Sequence, residues 1–402
     1  MGEIRNPLWG ERQPGSATPR QGRPAQNSPA GGASIPGRRC RHTDWKEQIR
    51  MSLDHYRTLG RSALRVSPLA LGAMNFDDGS WGTAPEDASR ILDRYFDLGG
   101  NFVDTANAYN GGQSEDVLGQ YFSARPERRQ RAVIATKFGG SMRPDDPNAG
   151  GASRKAIREE IDASLRRLRT DYVDMYWMHQ WDRHTPMEET LSTLDDLVRS
   201  GKVRAIGVSN TPAWWVSRAV TLAEWRDRAP IAAMQDEYSL LARTPEGEQF
   251  GVARALGLGI VPWSPLASGA LSGKYRRATP TAGDTRRGAY VAPHVGEELF
   301  SLIDILQRIA DEVGGTVAGV ALAWVRQQEQ VTSTLIGART VEQLEANLSS
   351  IDIELTPEQL TELSGTTAPE LDYPMTVMDT IALPFQYGPT TINGVTGRAF
   401  QR

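Results

Sequence analysis

The stretch Asn101-Phe102-Val103-Asp104-Thr105-Ala106-Asn107-Ala108-Tyr109 decides how this chain is read. Phe102 and Val103 form a short β-prone run, Gly99 and Gly100 separate it from what precedes, and the turn-rich segment Asn107 to Gly112 follows. The reading is a buried strand that ends on an acid, Asp104, with Tyr109 on the loop just beyond it. Such a strand delivers reactive groups to a rim.

The same unit recurs on both sides of this stretch. Strand-like runs fall at Leu69 to Leu71, Phe102 to Asp104, Ala132 to Lys137, Tyr172 to His179, Val203 to Val208, Ala232 to Gln235, Gly259 to Trp263 and Ser333 to Ile336. Helix-like stretches separate or follow them: Pro85 to Leu98, Gln113 to Ser123, Ser153 to Leu168, Met187 to Ser200, Pro212 to Trp225, Pro245 to Leu256, Glu297 to Val313, Val317 to Gln328 and, last, Val341 to Ser350. Ser153, Pro186 and Thr211-Pro212 supply helix-start chemistry, and Ile157, Ile161, Ser164, Leu165 and Leu168 follow the spacing of a buried helical stripe. Consecutive βα units of this kind predict a closed (β/α)8 barrel of the TIM type rather than an open sheet. A hairpin, Tyr56 to Gly60 turning into Ala63 to Ser67, is expected to plug one end of the barrel. Long loops at the C-terminal face are expected too, above all residues 270 to 296, which read as a lid.

Composition limits the partners. The first fifty residues hold nine Lys/Arg against four Asp/Glu and lack periodicity, leaving 36 against 45 for the remainder. Residues 1–50 therefore read as a disordered basic extension, with Met51 as an alternative start and the upstream segment as an addition to the natural protein. Residues 51–365 form the barrel, and the Pro- and Thr-rich residues 366–402 a tail packed on or near its mouth. The acidic barrel argues against nucleic acid as a main partner, and no apolar run reaches the ~18 residues of a membrane helix. The only cysteine is Cys40, which excludes an intramolecular disulfide and a cysteine-built zinc site and fits a cytoplasmic setting. No metal cluster is evident. Oligomeric state is not specified by any of these features.

Strands two, three and four of such a barrel are neighbours and end on Asp104, Lys137 and His179, with Tyr109 just past the first. Parity places Val133, Ala135 and Lys137 on one strand face and Phe102 with Asp104 on another, so the polar groups share the inner rim. A lysine ~4 Å from a phenolate, at an effective dielectric of ~20, stabilises it by ~4 kcal/mol, or about 3 pK units. The expectation is a Tyr109 phenol drawn from ~10 toward neutrality, with Asp104 holding Lys137 charged. Such a tyrosine can protonate a carbonyl oxygen while hydride reaches the carbon, and His179 can orient that oxygen. His184 and His294 are assigned no role.

With no metal site and no cysteine or serine nucleophile, the hydride must come from a bound cofactor. Ser209, Asn210 and Gln235, at the ends of strands five and six, suit a carboxamide, and Trp263 could lie flat on a nicotinamide ring. Ser264 and the turn Leu266-Ala267-Ser268-Gly269 suit a pyrophosphate. Arg339-Thr340, with Gln343 and Asn347 after strand eight, suits the adenosine end.

Several motifs occur in order: Tyr56-Arg57-Thr58-Leu59-Gly60, Asp104-Thr105-Ala106 with Tyr109, Ala135-Thr136-Lys137, Ser164-Leu165-Arg166-Arg167-Leu168, Met178-His179, Gly201-Lys202-Val203-Arg204, Gly207-Val208-Ser209-Asn210 and Trp263-Ser264-Pro265-Leu266. In these the chain resembles the aldo-keto reductase family over roughly residues 55 to 365. The resemblance implies a catalytic tetrad of Asp104, Tyr109, Lys137 and His179, with Tyr109 as general acid, and NADPH bound without a Rossmann fold. It implies that Ser209, Asn210 and Gln235 hold the carboxamide and Trp263 takes the ring-stacking place. Within the family the chain resembles the bacterial branch near potassium-channel β subunits and sugar-type reductases. Gly337 stands where one branch places a lysine for the 2′-phosphate, and Ala346 where an acid often meets the adenine. Arg339 and Gln343 must then select the phosphate, and NADH stays open as an alternative. Gln180-Trp181-Asp182 resembles sugar-ketone reductases. Two functions follow: reduction of a small-molecule aldehyde or ketone, sugar-type carbonyls included, or an NADP(H)-binding regulatory or sensor subunit acting through a protein partner. Substrate choice would lie in the loops around Trp81, Asp145, Trp181 and residues 270 to 296.

Overall fold

Phe102–Asp104 belongs to an eight-stranded parallel sheet in the computed structural model, which describes residues 52–278, 286–392 and 395–397. The expected extension, residues 1–50, and positions 279–285 of the expected lid lie outside the described residues. A hairpin comes first, β1 (Arg57–Thr58) against β2 (Arg65–Val66). The sheet strands are β3 (Leu69–Gly72), β4 (Phe102–Asp104), β5 (Val133–Phe138), β6 (Val173–Met178), β7 (Val203–Ser209), β8 (Ile231–Gln235), β9 (Gly259–Ile260) and β10 (Thr334–Ile336), each paired with the next from β3 to β9. The ring closes on both sides of β10. Thr334 pairs with Leu69 on β3, while Thr332 N donates to Ile260 O at 2.8 Å and Leu335 N to Pro262 O at 2.9 Å. This is the (β/α)8 barrel that the alternation predicts.

The helices are α1 (Pro85–Asp97), α2 (Gln113–Ser123), α3 (Pro126–Arg131), α4 (Arg154–Leu168), α5 (Met187–Arg199), α6 (Ala213–Trp225), α7 (Gln249–Leu256), α8 (Arg286–Val291), α9 (Glu297–Val313), α10 (Val317–Arg326), α11 (Val341–Leu348) and α12 (Pro357–Thr366). Ser153 caps α4 by accepting from Ala156 N, and Ile157, Ile161, Ser164, Leu165 and Leu168 are its buried stripe, as the spacing requires.

Four expectations need correction. The helix expected from Pro245 is broken at Gly247, leaving a 3-10 turn (Thr244–Glu246) before α7. The strand expected to Trp263 pairs in continuous register only over Gly259–Ile260, although Val261 N still donates to Met234 O at 2.9 Å and Trp263 N to Asp236 O at 3.0 Å. The expected lid carries structure of its own in Ala267–Ser272, α8 and Ala292–His294. The helix expected to be last is followed by α12, whose signal was legible: Thr356 and Gln359 form a reciprocal capping box ahead of a proline at the first turn.

Strand alternation divides the core. Phe102, Ala135, Met175, Trp177 and Ala233 fill the barrel together with Leu59 and Val66 of the hairpin. Val103, Ile134, Tyr176 and Met234 face the helices. The hairpin therefore plugs the N-terminal end. Gly60 sits there at φ +51, and a Cβ on it would lie 2.1 Å from Ala232 O, so only glycine fits.

Inside the barrel, Gly207 on β7 makes room for the fully buried Trp177: an added Cβ would stand 2.4 Å from Trp177 Cζ3. Gly207→Ala is expected to destabilise the fold by about 1–3 kcal/mol, the usual range for overpacking. Urea unfolding measures it, and an unchanged midpoint would mean the Trp177 ring yields without cost.

Candidate active site

The end of β4 aligns with its neighbours through the register Gly72↔Asp104 and Asp104↔Ala135, and the end of β5 through Lys137↔Trp177. Inward parity then brings Asp104 and Lys137 together beneath the mouth, 2% and 0% exposed. The Lys137 ammonium donates to Asp104 Oδ2, to Thr105 O at 2.9 Å and to the Tyr109 hydroxyl oxygen at 3.1 Å. Gln235 Nε2, from the end of β8, donates to Asp104 Oδ1 at 3.0 Å. Tyr109 opens a 3-10 turn, Tyr109–Gly112, that continues through left-handed residues to Gly112. His179, just past β6, meets Tyr109 edge to face with ring centroids 5.7 Å apart. All four expected tetrad residues are thus assembled at one rim.

Their electrostatics depart from expectation in one respect. Tyr109 is raised above its ordinary phenol value: burial dominates, the Lys137 charge opposes it, and the Asp104 carboxylate adds to the rise. The expected pull toward neutrality fails because burial outweighs the Lys137 charge, and Asp104 beside the same ammonium adds to the rise. Burial works to lower Lys137, but Asp104 and Tyr109 outweigh it and the net shift is upward. Burial, then the Lys137 charge, lowers His179 to about 4. At neutral pH the rim holds a neutral phenol, a charged ammonium and a neutral imidazole. A phenol in that state retains a proton to give, and the phenolate left behind would face a fixed cation.

The other expected residues form three further groups. Around Asn210, Nδ2 donates to His179 O at 2.9 Å and to Ser209 Oγ at 3.0 Å, while Oδ1 accepts from Trp263 Nε1 at 3.2 Å. Asn210 and Gln235 are therefore already engaged, and either would exchange a partner to hold a carboxamide. Ser264, Ala267, Ser268 and Gly269 all have positive φ, with Ser268 N donating to Ser264 Oγ at 2.9 Å and Leu266 O accepting from Gly269 N at 2.9 Å. Past β10, Asn347 Nδ2 donates to Gly337 O at 3.0 Å and Arg339 N to Gln343 Oε1 at 2.9 Å. The Arg339 guanidinium lies over the Trp81 ring at 5.2 Å, with its buried Nε left without a hydrogen-bond partner among the described residues. Added Cβ atoms at Gly269 and Gly337 would meet nothing within 4 Å. Open space, polar backbone and an orphaned cationic nitrogen fit a long polyanionic cofactor lying across the ends of β9 and β10.

Sequence reasoning missed several supporting groups. The Thr105 carbonyl completes the Lys137 shell, a backbone role that residue identity does not advertise. Behind the rim, Glu115 accepts from Thr136 Oγ1 at 2.5 Å and from Arg167 Nε at 2.7 Å, and Glu160 accepts from Gly139 N at 3.1 Å. Burial pushes Glu160 up to about 7. Asp236, next to Gln235, was also passed over. Among the described residues no group of three or more His, Cys, Asp or Glu could hold a metal ion, and no helix is long and apolar enough to cross a membrane.

Comparison with known proteins accords with this geometry. A model of the Aldo/keto reductase family matches residues 68–367. The chain belongs to the aldo/keto reductase family. It is 40% identical to an uncharacterized oxidoreductase, YrpG, of Bacillus subtilis, over 77% of this chain and 94% of that protein. It is 35% identical to norsolorinic acid reductase stcV of Emericella nidulans, over 80% of this chain and 84% of that one. An aryl-alcohol dehydrogenase [NADP(+)] of Phanerodontia chrysosporium is 34% identical, over 75% of this chain and 83% of its own. This aldo/keto reductase is accordingly an NAD(P)H-dependent oxidoreductase.

Proposed function

We propose that this aldo/keto reductase uses NADPH to reduce an aromatic aldehyde or ketone to the alcohol, with Tyr109 as proton donor. The observation that carries the reading is the buried chain Asp104–Lys137–Tyr109, with His179 against the tyrosine ring. Tyr109 gives its proton to the carbonyl oxygen, Lys137 stabilises the phenolate, Asp104 and the Thr105 carbonyl hold Lys137, and neutral His179 orients the oxygen. The cofactor, when bound, supplies the hydride. Ser209, Asn210, Gln235 and Trp263 would hold its nicotinamide end, Ser264, Leu266, Ser268 and Gly269 its pyrophosphate, and Gly337, Arg339, Gln343 and Asn347 its adenosine end. The unpartnered Arg339 Nε supports a 2′-phosphate there, hence NADPH over NADH.

An aromatic substrate replaces the sugar-type carbonyl as the favoured class. Trp181, on the loop after β6, meets Trp214, at the start of α6, edge to face at 5.7 Å. Trp214 stays 55% exposed at the same C-terminal rim as His179 and Asn210. Planar apolar surface suits an aryl ring better than a polyol. Printed names of relatives, norsolorinic acid reductase and aryl-alcohol dehydrogenase, lean the same way. The same reading keeps residues 51–365 as the catalytic domain and 366–402 as a tail at its rim, supported by Leu371 and Met375 lying beside Gly247. A cytoplasmic setting remains part of it.

Cofactor absorbance should fall with aryl aldehydes at a kcat/KM about tenfold or more above short aliphatic aldehydes and keto-sugars, the worth of an aromatic contact or two. NADPH and NADH are compared in the same series. Faster turnover of keto-sugars would overturn the aromatic reading, and equal use of both cofactors would overturn the assignment of Arg339.

A further inference from the structure

Asp236 follows Gln235 at the top of β8, and parity turns it away from the barrel interior. It is 6% exposed, yet among the described residues its carboxylate has a single partner: Oδ1 accepts from Asn210 N at 3.1 Å, and Oδ2 has none. Its backbone carbonyl accepts from Trp263 N at 3.0 Å. One residue therefore ties the ends of three strands. Asn210 is the other half of the tie, held at φ 48, where few side chains rest, while its amide reaches His179 O, Ser209 Oγ and Trp263 Nε1. Whatever fixes the Asn210 backbone fixes the spacing between catalytic His179 and the Trp263 ring.

We propose that Asp236 is a positioning residue for the nicotinamide pocket, bracing Asn210 through its buried carboxylate so that cofactor affinity follows the charge state of that carboxylate. The inference rests on the reading above that this pocket holds a nicotinamide cofactor. An ionised carboxylate makes a charge-assisted acceptor for Asn210 N and holds the brace taut; a protonated one holds it weakly.

Burial, opposed by the Asn210 N–H, pushes Asp236 up to about 7, so the change falls in the physiological range. The ionisable groups on the flanking segments are few. His179 after β6 is lowered to about 4 and stays neutral through this window. Glu237, next in the chain, is itself raised by burial and faces His294, which opposes the rise. Lys137, Asp104 and Tyr109 lie on the inner side of the rim, and the β7 and β9 neighbours, Asn210 and Trp263, carry no charge. None of these charges enters the causes of the Asp236 shift.

Above about pH 7 the brace is charged and affinity is high; below it the brace is neutral and affinity falls. Binding of NADPH and of NADP+ to the intact protein, followed by quenching of tryptophan fluorescence, should tighten about fivefold between about pH 6 and about pH 8, the order by which a charge-assisted hydrogen bond exceeds a neutral one. Asp236→Asn keeps the shape and the acceptor but cannot ionise. It should bind at the weaker level throughout, retaining only the slope that titration of the cofactor's own phosphate gives both proteins. Asp236→Glu should restore part of the difference. Identical pH slopes in wild type and Asp236→Asn, with both folded by circular dichroism, would overturn the inference alone. No binding of either cofactor by either protein would overturn it together with the reading beneath it.

Discussion

Tyr109→Phe is expected to lower kcat for carbonyl reduction by about 10²–10⁴, the usual contribution of a positioned general acid. Cofactor affinity should stay within about twofold, because no residue of the nicotinamide or phosphate groups bonds the Tyr109 hydroxyl, which accepts from Lys137 alone among the described residues. The structure also predicts a small loss of stability. Removing the oxygen leaves one Lys137 proton buried without an acceptor, a cost of about 1–3 kcal/mol. Single-turnover absorbance and equilibrium binding separate the effects. Turnover within a factor of about ten of wild type would remove Tyr109 from the chemistry.

Lys137→Met should be the most damaging substitution to the fold as well as the reaction. Asp104, 2% exposed in the native protein, would keep only Gln235 Nε2 as a side-chain donor among the described residues. Breaking a buried pair from one side costs about 3–5 kcal/mol, since the surviving charge has lost its partner. The double variant Lys137→Met with Asp104→Asn should recover part of that loss while remaining inactive, because no cation faces the phenolate. Denaturant unfolding of the three proteins measures the coupling. If the double variant is no more stable than Lys137→Met, the penalty is not that of an orphaned carboxylate.

Much of this molecule was legible in its sequence for a physical reason: each strand of a closed parallel barrel is buried on both faces and reads as a short apolar run ending on a polar residue. Asp104, Lys137 and His179 declared themselves because each ends such a run, and the structure brings them together with Tyr109. Chain breaks within loops were harder. The interruption at Gly247 and the early end of β9 at Ile260 depend on which backbone groups find partners, a tertiary matter that local propensity does not carry. The electrostatics were harder still. The Lys137–Tyr109 proximity was inferred correctly, yet its consequence for the phenol depended on burial and on the second charge beside it, quantities fixed only once the rim is assembled. Asp236 went unnoticed because an acid beside a glutamine on a strand end looks like a solvated loop residue, and only its burial marks it out.

The Lys137 shell has a consequence for direction. An ammonium has three hydrogens, and here three acceptors take them: Asp104 Oδ2, Thr105 O and the Tyr109 oxygen. The tyrosine oxygen therefore receives on its Lys137 side, and its own hydrogen cannot occupy that line. It must leave the ring oxygen at an angle away from the lysine. The lysine thus fixes the one line along which this hydroxyl can give a proton, and the same line returns it when the reaction runs backward.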